Sequence, residues 1–147
     1  VSRIPRFQEH LKTGFTAEAA SAARYRAYAD RAQADGMPNV ARRWQRLAAA
    51  KDALAIELLV ASEQVRGADA DIGNAISEER YENDILYPKM IRDVDQEVAN
   101  IFLRVVTAQK EHLRQLEGLR NDLNASQGDV SLPPEVDRGT APSAPES

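Results

Sequence analysis

Apolar and polar residues along this chain recur with a helical period. Between Pro38 and Gln64 the apolar positions Val40, Trp44, Leu47, Leu54 and Leu58 fall three, four or seven residues apart, the stripe of an amphipathic helix. A segment from about Asp71 places Ile72, Ile76, Glu79, Glu82, Leu86 and Met90 on one face, with Pro88 predicting a kink around Leu86–Tyr87. From Asp95 to Leu123 the same side carries Val98, Phe102, Val105, Gln109, His112, Leu116 and Leu123. An earlier helix is predicted over Thr16–Ala34, with Thr16 as its cap. The run Asp35-Gly36-Met37-Pro38 ends it and opens the next, Gly suiting a left-handed stop and Pro a first helical turn.

Four amphipathic segments with short connections and no alternating strand pattern predict an all-α, four-helix, mostly antiparallel bundle. Its stripes are wider than a coiled-coil seam, so each helix is expected to face more than one neighbour. The chain then divides into an N-terminal segment 1–14, a bundle 15–123 and an acidic, Pro-rich tail 124–147. The tail's Ser, Gly, Pro and acid content is too poor in apolar surface to order itself. Within it Ser131–Val136, SLPPEV, forms a small apolar island of the kind that serves as a docking peptide.

Composition narrows the chemistry. The 147 residues contain no cysteine, which removes disulfides, thiolate catalysis and cysteine-held metals. The net charge is −4, concentrated in the tail, where Asp129, Glu135, Asp137 and Glu146 oppose Arg138. A near-neutral body does not attract nucleic acid, and Arg42, Arg43 and Arg46 read as a solvated face. No apolar run approaches the roughly 18 residues of a membrane span. A cytoplasmic location, with no membrane and no nucleic-acid partner, is the expectation by default.

Candidate chemistry lies in two pairs at three-residue spacing. Glu79 with Glu82, and Gln109 with His112, each share a helical face, and the apolar stripes turn both faces inward. Carboxylate oxygens and an imidazole nitrogen suit iron, manganese or zinc. The same spacing also fits a solvated surface of Glu78, Glu79, Glu82 and Asp84. Buried without a metal, the carboxylates would need a counter-ion from Arg24, Lys51 or His112, or enclosed water. A pairing of Glu79 or Glu82 with His112 is expected.

Three stretches resemble the ferritin-like domain of the rubrerythrin family: Ala19–Trp44 (AASAARYRAYADRAQADGMPNVARRW), Glu78–Pro88 (EERYENDILYP) and Leu103–His112 (LRVVTAQKEH). The resemblance covers about residues 14–121. It implies a ferritin-like four-helix bundle holding two irons between carboxylates and histidines, with peroxide-reducing or ferroxidase-like chemistry, and often a homodimer. Position by position, however, it sets the first-helix ligand on Ala20 and those of the second helix on Ala50 and Ala53. The third-helix pair falls on Glu79 and Glu82, and the fourth on Gln109 and His112. Alanine offers no lone pair, so a two-metal centre is expected to be largely lost. Glu57, four residues past Ala53, could join Glu79, Glu82 and His112 around a single iron, manganese or zinc ion.

The expected function is therefore non-enzymatic: a structural or interaction bundle, a homodimer able to bind a protein partner, with no cofactor. One alternative is a metal-binding oxidoreductase using the reduced single-metal site. Another is a shell cargo or partner-binding module acting through its C-terminal tail. Trp44 is expected in the core, His10 at the surface, and Tyr25, Tyr28, Tyr81 and Tyr87 in hydrogen bonding between or within helices.

Overall fold

A computed structural model describes residues 6–134. Among them the fold is all-α with no strand: four long helical segments, the third interrupted near its end. They fall into two compact units, Val1–Asp71 and Ile72–Ser147.

The first unit is a hairpin of α1, Phe7–Ala34, and α2, Pro38–Ala61. The turn forms as the sequence predicts. The Asp35 N–H donates to Arg31 O at 3.0 Å and the Met37 N–H to Ala32 O at 2.9 Å, while Gly36 takes φ 75°. Pro38 then occupies the first turn of α2, where its missing N–H costs nothing. The start of α1 differs from expectation. Thr16 is no cap, because its hydroxyl donates to Lys12 O at 2.9 Å inside a helix already running from Phe7. Gly14 is tolerated there because α2 packs closely: a Cβ at that position would stand 3.2 Å from Leu58 Cδ1.

Alanine makes the seam of this hairpin. Ala22, Ala29 and Ala32 of α1 and Ala41, Ala48 and Ala55 of α2 are buried, with seven-residue spacing along α2. Methyl-sized knobs let two helices approach closely and interlock. Trp44 packs on the Ala29–Ala32–Ala41 cluster with Tyr25 and Tyr28 rings 5.0 and 5.1 Å away. The predicted stripe of α2 is therefore only partly inside: Trp44 and Leu58 are half-buried, but Val40, Leu47 and Leu54 are exposed. Hydrophobicity alone ranks leucine above alanine, whereas the close packing of α1 on α2 selects the small side chain at their seam.

In the second unit, α3, Ala68–Tyr81, passes into a π turn at Glu82–Leu86 and then α4, Tyr87–Ile91; α5, Gln96–Ala125, returns alongside. The irregularity falls where Pro88 predicts it, as a widened turn. The Tyr87 N–H reaches back five residues to Glu82 O. Proline lacks an N–H and its ring crowds the carbonyl four residues earlier; a π turn relieves both demands without ending the helix. Asp95 caps α5 by accepting the Val98 N–H at 3.0 Å. Ile72, Ile76 and Ala99 are buried, and the Tyr87 and Phe102 rings meet at 5.7 Å.

The backbone of α5 approaches the π turn and α4 but has no Cα within 8 Å of α3. Long polar side chains bridge that wider gap, including an Arg80–Glu117 ion pair. Beyond Ala125 residues 126–134 are irregular, and the apolar island reaches only to Pro134 here, so the tail from 135 lies outside the described residues.

Candidate functional site

The polar patch of the second unit is assembled by the π turn and the middle of α5. Glu79 lies in the last turn of α3, Glu82 opens the π turn, and Gln109 and His112 sit one turn apart on α5. Gln109 Nε2 donates to Glu82 Oε2 at 2.6 Å. His112 Nδ1 lies 3.8 Å from Glu79 Oε1, within ion-pair reach but beyond a hydrogen bond. The expected Glu79–His112 approach is thus present as a loose contact, with the imidazole half exposed to solvent and Glu79 mostly covered.

Asn83, the residue after Glu82, escapes a reading based on titratable groups. It is 8% exposed, and neither its Oδ1 nor its Nδ2 has a partner among the described residues. Glu79 Oε2 and Gln109 Oε1 are likewise buried and unpartnered. The signal in the sequence was its spacing: Asn83 stands seven residues past buried Ile76, about 20° away round an α-helix.

The remaining predicted residues lie in the first unit. Glu57 is exposed on α2, and Ala20, Ala50 and Ala53 are exposed as well. Ala50 and Glu57 do not belong to the α1–α2 seam. Ala50 and Glu57 each follow a buried alanine, Ala48 and Ala55, by two positions, which is about 200° round an α-helix. Lys51, a candidate counter-ion for Glu79 and Glu82, pairs instead with Glu18 at 2.8 Å, both side chains being mostly covered. The hydrogen bond from Glu18 raises the Lys51 ammonium above its ordinary pKa, against the opposing effect of burial. Arg24, the other candidate, donates to Ser21 Oγ at 3.1 Å.

Among the described residues no three His, Asp or Glu side chains gather as a metal ion would require of them. The positions fit two irons poorly on chemical grounds as well. Three expected ligand positions are methyl groups, and the amide at a fourth already occupies a carboxylate oxygen of Glu82. No described helix is long and apolar enough to cross a membrane. No family model matches the chain, and no curated protein sequence matches it.

Proposed function

We propose that this chain is a non-catalytic, rubrerythrin-like helical bundle whose two-metal centre is largely lost and whose role is structural or in protein interaction, as a homodimer. The observation that carries this reading is the 2.6 Å hydrogen bond from Gln109 to Glu82. A neutral amide cannot supply the charge of a ligand carboxylate, and here its N–H is bonded to Glu82 Oε2. Leu47, Leu54, Ile56 and Val60 on α2 are exposed, as are Ile85 on the π turn and Ile101 and Leu103 on α5, which supports an interaction role. The test is to load the full chain with ferrous iron, remove excess and measure iron per chain and peroxide consumption. Two irons per chain with turnover would overturn the proposal; neither is expected.

The 3.8 Å approach of His112 to Glu79 favours a second reading, a single-metal site of Glu79, Glu82 and His112 completed by water. Stoichiometric iron, manganese or zinc that disappears in His112→Ala would establish it over the first.

A further inference from the structure

Three oxygen acceptors in the π-turn patch are buried and unanswered: Glu79 Oε2, Asn83 Oδ1 and Gln109 Oε1. Each such atom is costly to leave unmet, so several in one patch imply an occupant rich in positive charge or hydrogen. The backbone concentrates them. Glu79 and Asn83 are one turn apart on the same helix, and the π turn that contains Asn83 is a distortion frequently found at functional sites. Gln109 is held opposite by its N–H bond to Glu82, which directs its carbonyl oxygen away from that carboxylate. Glu79 is tied to the same part of α5 by its contact with His112, one turn from Gln109.

From this arrangement we infer a binding site for one hard divalent cation of the calcium type, held by Glu79 Oε2, Asn83 Oδ1 and Gln109 Oε1. A carboxylate with two amide carbonyls is the ligand set of an oxygen-loving ion, and calcium accepts irregular geometry completed by water. Glu82 adds a second negative charge beside the ion while positioning Gln109. Asn83 Nδ2, the remaining unpartnered atom, donates to a water in the ion's shell. His112 is not a ligand, since its ring is half exposed and nitrogen is a poor ligand for calcium; it only holds Glu79. The inference rests on the proposed function only in that redox metal has left this patch. Iron loading and calcium binding are separate measurements, so either can fail alone.

The experiment is calorimetric titration of the full, chelator-treated chain with calcium chloride, backed by thermal unfolding with and without calcium. With few ligand charges, binding of about one ion per chain with Kd roughly 10⁻⁴–10⁻³ M is expected. Asn83→Ala and Gln109→Ala should each weaken it by about tenfold or more, equivalent to about 1.4 kcal/mol. Asn83→Asp, which adds a carboxylate, should tighten it and supplies a readout even if the alanine variants fold poorly. Arg114→Ala, on the exposed side of α5, should leave it unchanged. Absence of saturable binding would overturn the inference, leaving water as the occupant. So would loss of binding in His112→Ala with none in Asn83→Ala, which belongs to the imidazole-containing site.

Discussion

The two hairpins solve the same problem, packing one helix on another, with opposite materials. The first brings α1 and α2 together over six buried alanines and puts its ionic pairs, Glu18–Lys51 and Arg26–Asp52, alongside the seam. The second holds α5 off α3, buries two isoleucines of α3 and fills the gap with carboxylates, amides and an arginine. A close seam leaves no room for chemistry; a wide one must be filled, and its filling here is polar. The candidate site therefore sits where the helices stand apart.

Overpacking breaks the close hairpin most directly. Ala48→Leu inserts three extra carbons where Ala48 is 2% exposed, and should destabilise the protein by about 2–3 kcal/mol in urea unfolding. A change under about 0.5 kcal/mol would show that the seam yields, and the contrast between the hairpins would fail. In the wide hairpin a bulky apolar residue should act in the opposite sense. Asn83→Leu keeps the branched shape and heavy-atom count and removes two buried unpartnered atoms, so in calcium-free buffer it should stabilise by about 1–2 kcal/mol. The same variant should lose calcium binding. Destabilisation instead would mean that Asn83 makes hydrogen bonds the patch depends on.

These two outcomes also mark what was legible in the sequence. The inner faces of α3 and α5 could be read, because isoleucine, phenylalanine and leucine recur there at helical spacing, and Glu79, Glu82 and Gln109 ride on the same stripe. The alanine seam of α2 could not, since a pattern weighted by hydrophobicity follows Leu47 and Leu54 while the packing follows Ala48 and Ala55. That shift also leaves Ala50 and Glu57 off the α1–α2 seam. Asn83 was hidden for another reason: it lies seven residues past buried Ile76, on the same helical face, but a search for apolar and titratable side chains passes over a neutral amide. Proline located the irregularity without revealing its form.

A third test sharpens the electrostatic side of the comparison. Lys51→Met removes the ammonium facing Glu18 and should lower the thermal midpoint near neutral pH. Because the folded Lys51 pKa is raised above 10.5, the pair's contribution is fully present below that pH and fades as pH climbs through the higher folded value. The gap between wild type and variant should narrow in strong alkali. A gap independent of pH would assign the effect to lost packing of the lysine stem.

The smallest effect belongs to an exposed pair beside the site. Glu111 accepts from Arg114 Nε at 2.9 Å and from Gln115 Nε2 at 3.3 Å, and these bonds, Arg114's first, depress its carboxyl from 4.5 to about 2. With a lowered folded pKa, its stabilising effect is present above pH 4.5 and is lost as pH falls toward 2. Both side chains are well exposed, so solvent screening keeps the effect on unfolding small even though the local titration is displaced. Carbon-detected titration should place the Glu111 midpoint near 2 in the wild type and return it toward the ordinary range in Arg114→Ala. An unchanged midpoint in that variant would locate the depression elsewhere on α5. A returned midpoint with unaltered calcium binding would separate this surface pair from the buried oxygens one turn away.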